Sequence, residues 1–168
     1  MINLRALLDD DLPGIRSWPA YPEEFRDLDC TFREGGWLDE YRSKPGNEIF
    51  LAADGEKAVG FSLVSRNGSG CTEFRIALHP DQIGKGLGKT ITLLTVARGF
   101  ADPAVAAIRL IIRKNNPRAH KLYASIPFRN TGECIEVIMG MPVPFFSMEI
   151  DRQTFYGVTI HETGIAHH

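Results

Sequence analysis

The sequence is poor in cysteine. Cys30, Cys71 and Cys134 are scattered through 168 residues with no C-x-x-C pair. An odd, widely spaced set excludes a disulfide framework and offers no zinc-ligand spacing. No apolar run approaches the ~18 residues that would read as a membrane span. The N-terminal MINLRALLDDDLP has no long apolar core and turns acidic early, unlike a signal peptide. Neither sign of charge dominates: Lys+Arg 19 against Asp+Glu 21 gives a net charge of -2, which leaves no basic footprint for nucleic acid. There is no internal repeat and no low-complexity segment. The histidines of the final HETGIAHH have no metal partners, and this end reads as a frayed tail. The length suits one domain that buries roughly 70% of the surface its unfolded chain exposes. The expectation is a soluble, cytoplasmic protein with no metal, no nucleic-acid partner and no membrane partner.

What is present is a glycine cluster. HPDQIGKGLGKT, residues 79–90, places Gly84, Gly86 and Gly88 directly after the apolar run FRIAL and before the periodic ITLLTVARGF. That order reads as strand, turn, helix. Glycines let the backbone close on a ligand, and a helix N-terminus adds partial positive charge, so the site is built for an anion such as a phosphate. A Walker loop needs G-x-x-x-x-G-K-S/T, and Ile83 stands where its first glycine belongs. A dinucleotide fingerprint needs G-x-G-x-x-G, and its third glycine falls on Lys89 or Ile91. Gly86 and Gly88 instead fit the last two positions of R/Q-x-x-G-x-G/A.

A second pattern lies about thirty residues on, in NPRAHKLYASIPF, residues 116–128. Asn116, Ala119, Leu122, Tyr123 and Phe128 match N-x-x-A-x-x-L-Y-x-x-x-G-F, with Pro127 in place of the glycine. Two motifs in this order resemble the GNAT superfamily of N-acetyltransferases, over about residues 2–151 of the chain. One departure concerns Ile83, which replaces the usual Arg or Gln, with Gln82 one residue early. The backbone N–H donors survive that change.

Pattern and breakers give the elements. INLRAL is a strand and DDDLPGIRSW starts a helix, with its acids favouring the dipole. PEEFRDLDCTFREGGWLDEYRSK reads as helix in two pieces, broken at Gly35-Gly36. EIFLAA and KAVGFSLVSR are strands joined through Asp54-Gly55, and CTEFRIAL follows Asn67-Gly68. After the glycine helix come the strand AAIRLIIRK and the helix PRAHKLYAS, the latter with Asn116 as N-cap and Pro117 first inside. A closing strand pair, PFRNTGECIEVIMG and VPFFSMEIDR, completes β-α-α-β-β-β-α-β-α-β-β. This is mixed α/β (α+β). The resemblance implies the GNAT fold, a mostly antiparallel sheet splayed at the cofactor site and flanked by helices. It implies a domain over 1–151, with 152–168 a C-terminal extension.

The resemblance also implies roles. Acetyl-CoA is the cofactor. Its pyrophosphate meets the backbone of Ile83, Gly84, Lys85, Gly86, Leu87, Gly88 and Lys89, with Lys85 and Lys89 either adding charge or standing as solvated lysines. Ile76 and Leu78 pair the pantetheine arm through their backbone while serving as core side chains, and Asn116 reaches the same arm while capping its helix. Tyr123 is the candidate general acid, since a phenol of ordinary pKa about 10 keeps its proton at neutral pH; its alternative is a packed core ring. Glu73 is the candidate base, directly or through water, against an ion pair with Arg75. His79 and His120 read as structural, and Cys71 and Cys134 as packed thiols.

The implied activity is direct transfer of acetyl to a primary amine in a ternary complex, on a small molecule or a peptide N-terminus. An acyl-CoA-binding module without turnover stays open, through Ile83 and Pro127. Ten acids among residues 1–45, interleaved with Phe25, Phe32, Trp37 and Tyr41, suggest either an acidic entrance for a cationic amine or a solvated helix face. MPVPFFSM, residues 141–148, is apolar enough for a homodimer interface or a last core strand.

Overall fold

Strand alternation and helix stripes sort the apolar residues onto two faces of one sheet. The computed structural model describes residues 1–67 and 71–163. Its strands are β1 (Ile2–Ala6), β2 (Asn47–Asp54), β3 (Lys57–Asn67), β4 (Cys71–Leu78), β5 (Ala107–Arg113), β6 (Arg129–Ile138) and β7 (Met141–Asp151). The sheet order is β1-β2-β3-β4-β5-β7-β6. Every neighbouring pair is antiparallel except β4–β5. The helices are α1 (Leu12–Arg16), α2 (Trp37–Arg42), α3 (Leu87–Phe100), α4 (Pro117–Ser125) and α5 (Arg152–Thr163). None is long and apolar enough to cross a membrane.

One face carries α3, α4 and α5. Val96 and Phe100 of α3, Tyr123 of α4 and Phe155 of α5 bury against Phe74, Ile108, Leu110, Met148 and Ile150 of the sheet. The other face carries α1, α2 and the segment between them, which cover Leu51, Phe61 and Ala77 with Ile15, Trp18, Phe32 and Leu38. The expected mixed α/β sheet with flanking helices is observed.

Three local readings change. Residues 23–31, expected in an α-helix, form a 3-10 helix (Glu23–Thr31). Three residues per turn align positions i, i+3 and i+6 on one line, and Phe25, Leu28 and Thr31 have that spacing. The start of the chain after β1 is a 3-10 turn (Asp9–Asp11) followed by the five-residue α1. The C-terminal segment, expected as an extension, begins with α5. Phe155 is buried there with its ring 5.4 Å from Phe100. Arg152 donates to the carbonyls of Phe100, Asp102 and Val105, taking up acceptors that the end of α3 leaves open. Residues 164–168 of the expected frayed tail lie outside the described residues.

The apolar segment 141–148 belongs to β7, a strand paired on both edges, by β5 and by β6. Its Phe145 and Met148 are buried. The exposed apolar side chains near it are Ile135, Val137, Met139 and Met141, around the tip of the β6–β7 hairpin.

Candidate active site

The parallel pair β4–β5 holds register only at Thr72↔Ile108 and Glu73↔Arg109. Beyond these residues the strands diverge. Residues 74–78 of β4 and 110–113 of β5 become the walls of a cavity of about 350 Å³. The 3-10 helix closes one side, turning Phe25, Leu28 and Thr31 into it. The glycine loop and α4 close the other. A sheet opened at one strand pair thus supplies a slot with unpaired strand edges on both walls.

At the loop, Gly84 and Gly86 take φ +87 and +81, and Gly86 is the N-cap of the 14-residue α3. Both conformations are left-handed and favour glycine. A Cβ at Gly86 would meet nothing within 4 Å, so the backbone there is open to an incoming group. At Gly84 an added Cβ would lie 2.8 Å from Nη2 of Arg118. Gly84, Gly86, Gly88 and Lys89 line the cavity; Lys85 and Leu87 do not. Lys85 is exposed, while Leu87 packs against the Ala52, Val59 and Ile91 cluster. Ile83 lines the cavity but packs on the aromatic cluster around Trp18, Phe32 and Phe61. The residues present therefore fit a phosphate group through backbone donors, a helix N-terminus and neighbouring cations.

Ile76 and Leu78 line the wall, as Asn116 does. The Leu78 carbonyl already accepts a 2.5 Å hydrogen bond from the Tyr21 hydroxyl. The Asn116 side chain accepts from the Ala119 N–H at 3.2 Å, the expected cap. Tyr123 packs as a core ring, only 6% exposed, and also lines the cavity. Its ring meets Phe74 and Phe128 edge-on, at 6.2 and 5.8 Å. Burial pushes its phenol pKa far above the ordinary value, a hydrogen bond with Thr92 opposing only in part. Thr92 Oγ1 itself donates to the Gly88 carbonyl at 2.6 Å.

Glu73 stands beside the cavity wall, not on it. Its Oε1 takes Arg75 Nη2 at 2.9 Å, and its Oε2 lies 3.4 Å from the Tyr41 hydroxyl. The guanidinium of Arg75 sits over Tyr41 and Trp37, 5.1 and 6.0 Å from the ring centroids. His79 turns away from the cavity: its Nδ1 accepts from the Asp81 N–H at 3.0 Å, and burial lowers its pKa. His120 packs near Phe146 and Asn130. Cys71 and Cys134 are free, half-buried thiols away from the cavity wall.

The acidic entrance is not what the wall presents. Asp9, Asp11, Asp39 and Glu40 pair with Arg42, Arg5, Arg16 and Lys44 elsewhere. Among the described residues Asp27 is the acid on the wall, against Arg75, Lys89, Arg113 and Arg118. Asp27 is itself held: its carboxylate accepts from Asn115 at 2.9 Å, and its carbonyl accepts from Arg113 at 3.2 Å. Sequence reading gave Arg75 only as an ion-pair partner of Glu73 and gave Arg113 and Arg118 no role. Charges on strands and short helices look solvated until the slot between β4 and β5 is seen.

Comparison with known proteins agrees with this geometry. Residues 4–127 match the Acetyltransferase (GNAT) family. Spermidine N(1)-acetyltransferase of Escherichia coli (strain K12) is 28% identical over 128 residues, covering 75% of this chain and 66% of that protein. A solved chimera of spermidine N-acetyltransferase SpeG from Vibrio cholerae and hSSAT superposes with TM-score 0.73 at 22% identity, over 93% of this chain and 98% of the other. The aminoglycoside acetyltransferase AAC(6')-Ib in complex with coenzyme A gives TM-score 0.70 at 19% identity, over 94% and 98%. With a family match across most of its length, on a sheet splayed beside its glycine loop, the chain belongs to the GNAT acetyltransferase family.

Proposed function

We propose that this protein transfers an acetyl group from acetyl-CoA to a primary amine, by direct attack within a ternary complex. The observation that carries the reading is the slot between β4 and β5, with the glycine loop at α3 lining it and Tyr123 buried in its wall. Acetyl-CoA supplies the activated acyl group. Backbone N–H groups of residues 84–89 bind its phosphates, helped by the α3 dipole. The edge of β4 at Ile76 and Leu78, and Asn116 opposite, guide the thioester arm.

As the N–C bond forms and the C–S bond breaks, the amine must shed a proton and the thiolate must gain one. Tyr123 holds its proton at Oη. An ordinary phenol is already a weaker acid than a thiol, pKa about 10 against about 8.5, and burial widens the gap. Its service is therefore a hydrogen bond that stabilises the departing thiolate, which takes up its proton from solvent as CoA leaves. Glu73 takes the amine proton through an intervening water, from the side of Oε2.

The acceptor meets the wall of Tyr21, Phe25 and Trp37, whose rings suit an amine. The curated relatives named for spermidine support a small amine. The chain aligns to 66% of their length, and Arg75 on the wall would repel the second charge of a polyamine. A GNAT-fold module that holds acyl-CoA without turnover is the alternative, favoured by Ile83 lying in the aromatic cluster and opposed by Tyr123 on the wall.

Thermal unfolding with acetyl-CoA tests the first step. At a hundred times its Kd a ligand adds about 2.7 kcal/mol, or roughly 5–10 °C for a domain of this size. Thiol release with a panel of amines then separates enzyme from module. No shift at millimolar acetyl-CoA, with ATP as control, would sink both.

Glu73→Gln is expected to lower turnover by about 10²-fold at neutral pH. The defect should shrink as pH rises toward the acceptor's pKa, because solvent then supplies the neutral amine. A loss independent of pH would assign Glu73 to holding Arg75 in place.

A further inference from the structure

We propose that Arg118 supplies the phosphate contact that Ile83 cannot, so that the side-chain anchor for the donor's pyrophosphate comes from α4 and not from the loop. The proposal rests on the acetyl-CoA reading above and goes beyond it, since neither motif assigns Arg118 a role.

Four observations carry it. Ile83, at the position where a donor side chain is usual, packs on the aromatic cluster and has no polar atom to offer. The guanidinium of Arg118 occupies the space over Gly84, with Nη2 2.8 Å from where a Cβ would be. Glycine at that turn answers to a φ of +87, and its bare backbone lies directly beside the guanidinium. Next, the guanidinium is unspent. Arg75 is committed to Glu73 and Arg113 to Asp27, whereas Arg118 has no acid partner and no hydrogen bond among the described residues. Finally, its place is prepared. Asn116 caps the start of α4 and Pro117 fixes its first position, and the ring of Phe25 lies 5.9 Å from the guanidinium carbon. Arg118 lines both the main cavity and an adjoining one of about 380 Å³ that it shares with Phe25 and Asp27.

A planar guanidinium beside a nest of backbone N–H groups matches a pyrophosphate, which can accept from both at once. An exposed arginine that is merely solvated would occupy no fixed place and leave no trace in binding.

The test is calorimetric binding of CoA and of dephospho-CoA to the wild type, Arg118→Ala and Arg118→Lys, with apo thermal unfolding as the folding control. Arg118→Ala is expected to weaken both ligands by roughly 10- to 150-fold, the range of a hydrogen bond to a charged group. It should also flatten the salt dependence, with the apo midpoint unchanged. Arg118→Lys should recover part of the affinity, as a point charge without the fork. A CoA affinity within twofold of wild type in Arg118→Ala overturns the proposal. A defect with CoA that vanishes with dephospho-CoA also overturns it, moving the contact to the 3'-phosphate. Failure of the folded wild type to bind either ligand would instead remove the acetyl-CoA reading itself, and this assignment with it.

Discussion

Phe155→Ala is expected to destabilise the fold by about 3–5 kcal/mol, the usual cost of emptying a buried aromatic site. For a domain of this size that is a fall of roughly 6–20 °C in Tm. The ring is 2% exposed, lies 5.4 Å from Phe100, and belongs to the cluster that also holds Val96, Ile108 and Ile150. α5 has 12 residues, a length at which an isolated helix is marginal in water. It exists because it docks, and Phe155 is what docks it. Arg152 adds three bonds to carbonyls at and beyond the end of α3, so loss of the ring should also loosen the helix that starts at the glycine loop. Thermal unfolding of the variant decides the matter. A midpoint within 1 °C of wild type would mean that the domain ends at 151 and that the segment from 152 is an appendage.

That segment shows where the sequence stopped being legible. Phe155 and Tyr156 are adjacent and followed by Gly157, so no apolar stripe marks a helix there. Most strands were legible, because alternation and the Asp54-Gly55 and Asn67-Gly68 turns are local signals. The splay came only with the family resemblance: whether β4 and β5 pair at two positions or at eight depends on what packs against each face, and nothing local encodes it. The 3-10 helix was legible in principle: Phe25, Leu28 and Thr31 recur every three residues, which the reading as an α-helix overlooked. At the site, the glycines stand out in the sequence because their spacing is tied to a backbone need, whereas Tyr123 is singled out only through the resemblance. Arg118 was missed because its meaning depends on an absence elsewhere, the missing donor at Ile83, and only the folded chain brings positions 84 and 118 together.

Tyr123→Phe is expected to lower turnover at saturating acetyl-CoA by about 10²–10⁴-fold, while leaving CoA affinity unchanged. The substitution keeps the ring between Phe74 and Phe128 and removes one oxygen, so the wall of the slot survives. Thr92 keeps its own bond to the Gly88 carbonyl, and the stability cost should stay near the 0.5–1.5 kcal/mol typical of a single hydrogen bond. The phenol pKa is raised by burial, which gives a second signature. An ordinary phenol would lose its proton as pH rises through about 10, and activity would fall there. With the folded pKa higher still, the proton is retained, and wild-type activity should show no tyrosine-dependent fall up to pH 10. The same shift makes the neutral phenol part of the folded state: its contribution to stability is complete below about pH 10 and is lost as pH climbs toward the folded value. Stopped-flow measurement of thiol release in the two proteins, with CoA binding measured separately, checks the kinetic claim. Equal turnover at saturating donor would remove Tyr123 from the chemistry and leave it as a wall residue. A loss of affinity matching the loss of rate would assign it to holding the thioester arm.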